Sequence, residues 1–232
     1  EGTNILQKDR AQLLPQLRRP EDDPVVTGLT GLAGELGVWL LIGSALVLRD
    51  DGQAANRAML AGPDGRIHAA YDKLHMFDVD LPTGESARES AAYTAGDRAV
   101  TARADELKLG LTICYDMRFP ALYRSLALAG AEVMTVPSAF TRPTGAAHWE
   151  ILLRARAIET GSFVLAPAQG GFHEDGRGTW GRTLAIAPWG QVLATLDHDE
   201  PGVLLADLDL AASAAARAAI PALANARAFA AP

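Results

Sequence analysis

The sequence predicts a layered α/β domain built on a mixed sheet, and three observations carry that expectation. Apolar runs of strand length and amphipathic stretches of helix length follow one another through the second half of the chain. Some of these strands are separated by helices and others by tight turns, which mixes parallel with antiparallel neighbours. No period of about 20–50 residues repeats, which leaves out solenoids and propellers. At 232 residues the chain is long enough for a sizeable core, and residues 1–232 read as one domain.

Residues 4–19 read as loop and short helix, interrupted by Pro15. Apolar side chains at 25, 26, 29, 32, 33 and 36 predict a helix over 24–36, with Pro24 in its first turn and Gly37 at its end. The nearly continuous apolar run 37–48 predicts a strand or strand pair covered on both faces. Asp50-Asp51-Gly52 turns the chain, residues 56–60 begin another strand, and Pro63-Asp64-Gly65 turns it again, which makes a meander. Residues 78–98 are rich in Gly, Ser and Glu and predict a long loop of functional kind. A buried strand over 107–113 then runs straight into Cys114. Pro120 opens a helix over 120–130, a strand follows at 131–136, and an amphipathic helix over 147–160 stops at Gly161. Further strands are predicted at 162–167, 183–187, 191–196 and 202–208. Fourteen alanines between 201 and 232 predict a helix followed by an apolar tail.

Composition narrows the function classes. Asp and Glu outnumber Lys and Arg, 28 to 21, for a formal net charge of −7. A binder of nucleic acid or of an anionic membrane needs the opposite surface. A hydrophobic fraction of 49% with 21% charged residues is that of an ordered globular chain. The single cysteine leaves out a disulfide framework and a cysteine-based zinc site, and the five histidines are scattered without ligand spacing. No apolar run reaches the roughly 18–20 residues of a membrane span and no signal peptide opens the chain, so the expected location is the cytoplasm.

A lone cysteine is more often a small buried hydrophobe than a nucleophile. Cys114, however, ends a buried strand, and a polar turn and the Pro120 helix follow it. A strand-to-helix turn lifts a side chain above the sheet edge and aims main-chain N–H groups at the same point, where they can hold an oxyanion. Lysine is scarce, with three (Lys8, Lys73, Lys108) against eighteen arginines. Lys73 lies in the aromatic-rich segment Tyr71-Asp72-Lys73-Leu74-His75-Met76-Phe77, where burial would demand a balancing carboxylate. An ammonium beside a thiol is expected to lower the thiol's pKa. Glu89, in the long polar loop, and Glu1 taken alone read as solvated carboxylates.

Tyr71-Asp72-Lys73-Leu74-His75-Met76-Phe77-Asp78-Val79-Asp80 and Leu111-Thr112-Ile113-Cys114-Tyr115-Asp116-Met117-Arg118-Phe119-Pro120 resemble the lysine and cysteine motifs of the nitrilase superfamily of carbon–nitrogen hydrolases. So do Ala147-His148-Trp149, Arg154-Ala155-Arg156-Ala157-Ile158-Glu159 and Pro188-Trp189-Gly190. The resemblance covers essentially the whole chain and is strongest to the amidase branch that includes omega-amidase and deaminated glutathione amidase.

The resemblance implies a catalytic set in which Cys114 is the nucleophile, Lys73 the lysine, Glu89 the second glutamate and Glu1 the general base. The family's base follows a proline, and Glu1-Gly2-Thr3-Asn4 resembles the tail of that motif. The chain is therefore expected to be a piece that lacks the family's first strand and helix. It also implies a four-layer α-β-β-α sandwich with mixed sheets, and a homodimer or higher homo-oligomer in which the tail from Ala222 onward reaches a partner. The expected substrate is a small amide of a 2-oxo acid or deaminated peptide, cleaved through a thioester on Cys114 without metal or cofactor. Tyr115 is expected to supply an oxyanion N–H, and Phe140, Thr141 and Met76 to wall the pocket. Arg118 is expected in a structural ion pair and His148 in a structural place. Gly181-Arg182 stands where related amidases carry Gly-His. The rivals are N-carbamoyl or nitrile hydrolysis on the same residues, and an inactive truncated relative that serves as a scaffold or binding module.

Overall fold

The computed structural model describes residues 1–82 and 84–230. In chain order the first half holds α1 (Arg10–Leu13), α2 (Pro24–Leu36), β1 (Leu40–Leu48), β2 (Ala54–Ala61), β3 (Ile67–Asp72), β4 (Asp78–Asp80), β5 (Ser86–Arg88), β6 (Val100–Ala104) and β7 (Leu107–Leu111). The second half holds α3 (Pro120–Leu128), β8 (Val133–Thr135), α4 (Arg142–Thr160), β9 (Phe163–Ala166), β10 (Gly170–Phe172), β11 (Gly178–Trp180), β12 (Leu184–Ile186), β13 (Val192–Thr195), α5 (Ala211–Ala219) and α6 (Ala222–Asn225).

Two sheets face each other. The smaller has the order β1-β2-β3, and the larger runs β13-β12-β9-β8-β7-β6. In the larger sheet β7, β8 and β9 are parallel, because α3 and α4 supply the long crossovers that parallel neighbours require. Its other pairings are antiparallel, so it is mixed as expected. The smaller sheet is antiparallel throughout rather than mixed, because the connections between its strands are too short for a crossover.

The strand period of two divides the apolar side chains between layers. On β2, Ala58 and Leu60 point into the main core with Leu111 and Val133 of the larger sheet and Ile113 just beyond it. Met59 points the other way, against Ile42 and Val26 of α2. The helices α3 and α4 cover the far face of the larger sheet through Leu122, Leu126, Leu153 and Ala157. The layer order is therefore α-β-β-α. Where the sheets meet, a Cβ on Gly43 would lie 2.9 Å from the Pro137 ring, so only glycine allows that approach.

The predicted helix over 24–36 forms as read. The Asp23 carboxylate accepts from the Val25 and Val26 N–H groups at 2.9 and 3.0 Å, and Gly37 closes the helix in the left-handed conformation. The helix expected over 147–160 begins earlier, at Arg142, because Thr141 adopts extended N-cap geometry and Pro143 fits the first turn. Two hairpins, β4–β5 within the long polar loop and β10–β11, were not legible as strands, and neither was β6.

The strand expected over 202–208 does not form. Val203 and Leu205 are 84% and 85% exposed, and no neighbouring strand takes up their N–H and C=O groups among the described residues. The alanine-rich stretch makes α5, docked by Arg217, whose guanidinium donates to the Thr160 and Ala131 carbonyls at 2.9 and 2.6 Å. The tail then holds α6 and irregular chain, and its last two residues, 231–232, lie outside the described ones.

Candidate active site

The nucleophile turn is built from β7 outward. After Leu111 the chain leaves the sheet, and Thr112 ties it to β8 by donating its hydroxyl to the Thr135 carbonyl at 2.7 Å. Residues Cys114–Arg118 wind into a short 3-10 turn, and Cys114 sits at its start with φ +48. A left-handed backbone at a residue with a Cβ costs on the order of 1 kcal/mol, so the surroundings must hold it. The Cys114 N–H donates to Pro137 O at 3.0 Å, and Asp116 fixes the rest. The Asp116 carboxylate is fully buried and accepts from the Ile113 N–H at 2.9 Å and the Tyr71 hydroxyl at 2.7 Å. It also accepts from the His75 N–H at 3.1 Å and meets His75 Nδ1 at 2.7 Å. It thus straps the nucleophile turn to the segment that carries the lysine. The sequence quoted Asp116 within the cysteine motif and gave it no role.

Lys73 follows β3 and is 1% exposed, so its ammonium depends on carboxylates. Nζ donates to Glu1 Oε1 at 2.9 Å, Glu89 Oε1 at 2.9 Å and Glu89 Oε2 at 2.8 Å. Glu89 lies in a short 3-10 turn after β5, where its Oε2 also accepts the Phe77 N–H at 2.7 Å. Glu1 Oε2 accepts the Ala139 N–H at 2.8 Å. Neither glutamate is a solvated carboxylate: their side chains are 10% and 11% exposed.

Asn56, on β2, joins both glutamates. Its Nδ2 donates to Glu1 Oε1 at 2.9 Å and to Glu89 Oε1 at 3.3 Å, and its Oδ1 accepts the buried Ser44 hydroxyl. Sequence reading missed it. The available signal was a polar residue at an inward position of an otherwise apolar strand.

Electrostatics follow from this packing. Burial is the largest influence on the Glu1 carboxyl and would raise it, but the opposing influences, the Lys73 ammonium foremost and hydrogen bonds from Cys114 and Lys73 among them, together hold the group well below its ordinary value. Burial alone would lower Lys73, but the charges of Glu1 and Glu89 hold its pKa well above the ordinary lysine value. The thiol moves against expectation. Burial, then the Glu1 charge, push Cys114 up, and these outweigh the downward pull of Lys73. The resting state is thus a neutral thiol beside an ionised Glu1.

Cys114, Lys73, Glu1 and Glu89 line one cavity of about 470 Å3, together with Tyr115, Phe140 and Thr141. Phe140 is held by Trp149, ring centroids 5.2 Å apart, and Thr141 caps α4. Met76 does not line the cavity; its neighbour Phe77 does, since adjacent side chains of an extended segment point to opposite sides. Arg118 is not in an ion pair among the described residues. Its guanidinium lies over the Phe140 and Tyr115 rings at 5.2 and 5.8 Å and meets His148 Nδ1 at 3.3 Å. Arg182 pairs with Asp197 at 3.0 Å, while its carbonyl accepts the Trp149 indole N–H at 2.7 Å. Among the described residues no helix is long and apolar enough to cross a membrane, and no cluster of three or more His, Cys, Asp or Glu side chains could hold a metal.

Known proteins resemble this chain along most of its length. The carbon-nitrogen hydrolase family model matches residues 5–218. A deaminated glutathione amidase from Yersinia enterocolitica is 42% identical over 175 residues, covering 74% of this chain and 61% of that protein. The chain thus spans less than two thirds of the length of that relative. The C. elegans NitFhit structure superposes with a TM-score of 0.85 at 32% identity, covering 96% of this chain and 54% of that one. A mutant amidase from a Nesterenkonia species, with the acetamide moiety of fluoroacetamide added covalently at its active-site cysteine, superposes at 0.74 with 28% identity, covering 94% and 75%. This chain belongs to the carbon-nitrogen hydrolase family.

Proposed function

We propose that the protein is a thiol amidase that hydrolyses the amide of a small carboxylate-bearing acid, a 2-oxo acid or deaminated peptide, through a thioester on Cys114. The observation that carries this reading is the buried Lys73 ammonium held between two glutamates in the cavity that also holds Cys114. In the reaction, Sγ attacks the amide carbon while Glu1 takes the thiol proton. The raised thiol pKa makes this transfer concerted with attack, because a free thiolate is not stable at rest. Lys73 and the Tyr115 N–H hold the oxyanion. The intermediate collapses as the C–N bond breaks, and the nitrogen takes the proton from Glu1 and leaves as ammonia. Water then gives a proton to Glu1 and attacks the thioester. The acid departs, and the sulfur regains its proton.

The anionic substrate class is supported by the cavity mouth, where Lys8, Arg10, Arg88 and Arg177 contribute four cationic side chains. Arg88 is committed to Asp80 and Arg177 to Asp175, whereas Lys8 and Arg10 have no ion-pair partner among the described residues. The relatives named deaminated glutathione amidase agree with a substrate of that charge. A reducing, cytoplasmic setting would keep the single thiol in its working form. A second copy of this chain would cover the exposed apolar side chains Ile151, Ile158, Trp189 and Leu193.

The test is ammonia release from a panel of carboxylate-bearing and neutral amides, N-carbamoyl compounds and nitriles, with intact-mass detection of an acyl adduct. Release from the anionic amides that vanishes in Cys114→Ala supports the reading. Folded protein that releases no ammonia from any member refutes it, and preference for carbamoyl compounds or nitriles replaces the amide with those classes.

A further inference from the structure

Two carboxylates, one ammonium and one carboxamide close a ring in the active site. Lys73 Nζ lies 2.9 Å from Glu1 Oε1, which lies 2.9 Å from Asn56 Nδ2. Asn56 Nδ2 in turn lies 3.3 Å from Glu89 Oε1, which lies 2.9 Å from Lys73 Nζ. Donors and acceptors alternate around it. One ammonium cannot neutralise two buried glutamates, so an excess negative charge remains that only neutral donors can stabilise. Among the described residues Asn56 is the one neutral side chain that donates to both, and it is 2% exposed.

The direction of the carboxamide is forced. Turned over, Oδ1 would face two carboxylate oxygens, whereas as found it accepts the hydroxyl of Ser44, itself fully buried. The Asn56 carbonyl also accepts the Lys73 N–H at 2.9 Å, so the same residue sets the main chain of the lysine and the charge of its partners.

We infer that Asn56, locked by Ser44, is a positioning residue that fixes Glu1 and Glu89 around Lys73 and so holds Glu1 ready as the base. The inference rests on the amidase reading for its kinetic test and on the ring alone for its spectroscopic one. The other ionisable side chains that face the glutamates are Cys114 from the nucleophile turn, Tyr93 from the loop after Glu89, and Arg177 beyond Tyr93.

The sign of the effect is fixed. Loss of a donor to an ionised carboxylate disfavours the charged form, so the carboxyl pKa rises and the acid limb of the activity profile moves to higher pH. A hydrogen bond to a charged group has a strength that corresponds to about one to two pH units.

The experiment compares wild type, Asn56→Leu and Ser44→Ala. Their kcat/KM for amide hydrolysis is measured from pH 3 to 9, and the protonated-carboxyl infrared band is titrated over the same range. Asn56→Leu should move the acid limb up by about one to two units and carry the protonated-carboxyl band up with it. Ser44→Ala should move both in the same direction by less. A fall in kcat/KM with the limb and the band unmoved, or no change in either, overturns the assignment. Where the wild type releases no ammonia, the amidase reading fails and the infrared titration alone decides the role of Asn56. Should Asn56→Leu not fold, Ser44→Ala decides by the same two readouts.

Discussion

Replacing Lys73 with methionine keeps the volume of the side chain and removes its charge from between Glu1 and Glu89. In the wild type three carboxylate oxygens lie within 2.9 Å of Nζ, and the lysine is 1% exposed. Removing one partner of a buried ion pair costs about 3–5 kcal/mol while the orphaned charge persists. Protonation relieves that cost at about 1.4 kcal/mol per pH unit, so one glutamate should titrate about two to four units above its ordinary value. The sign follows from that rise. A carboxyl whose folded pKa is raised leaves the fold intact below its unfolded value and weakens it as pH climbs through the folded one. Wild-type Glu1 behaves oppositely: its lowered pKa contributes stability above its ordinary value of 4.5 that is lost as pH falls below it. The assay is thermal unfolding of both proteins from pH 5 to 9. The variant should melt roughly 6–20 °C below wild type at pH 9, with the gap narrowing steadily toward pH 5. Ammonia release should fall by a factor on the order of 10²–10³ or more. A melting gap that is constant across the range would refute the charge argument.

Two further outcomes follow from the same geometry. Because burial and Glu1 push the Cys114 thiol up, its reaction with a small neutral thiol reagent such as methyl methanethiosulfonate should still be accelerating at about pH 10, where an ordinary cysteine levels off; a plateau by about pH 9.5 would sink the claim. A Cβ at Gly145 would lie 2.2 Å from the Trp180 ring, so Gly145→Ala must displace β11 from α4. The cost is about 1–3 kcal/mol, read as a fall in melting temperature of roughly 2–12 °C, and an unchanged melt would contradict the contact.

The long periodic elements were legible because each carries its own start and stop. The helix over 24–36 has Pro24 and Gly37, and the strands around Leu109, Met134 and Val164 are short, mostly apolar stretches. The hairpins β4–β5 and β10–β11 were not, since strands of three residues in polar sequence lean on pairing rather than on pattern. Val203 and Leu205 show the reverse error, an apolar stretch that lacks a strand partner. Within the site, Cys114 and Lys73 stood out by scarcity and by their motifs. Asn56, Asp116 and the Ala139 N–H act through geometry that only the packing of distant segments creates, with Asn56 and Glu1 separated by 55 residues and Ala139 and Glu1 by 138. The thiol's pKa was misread for a related reason: proximity to the ammonium was visible in the motifs, but burial was not.

The seam between the two sheets has a consequence for how the molecule would fail. Lys73 and Asn56 come from the three-stranded side, while Cys114, Tyr115 and the Ala139 N–H come from the six-stranded side. Each half therefore carries an incomplete reagent, and Gly43 against Pro137 marks how little slack the join allows. Mild loosening of that join would separate nucleophile from ammonium while α3 and α4 stayed docked on their own sheet. Chemistry at Cys114 is thus a finer gauge of the joint than helix content, and its decay in dilute denaturant is expected to run ahead of any spectroscopic sign of unfolding.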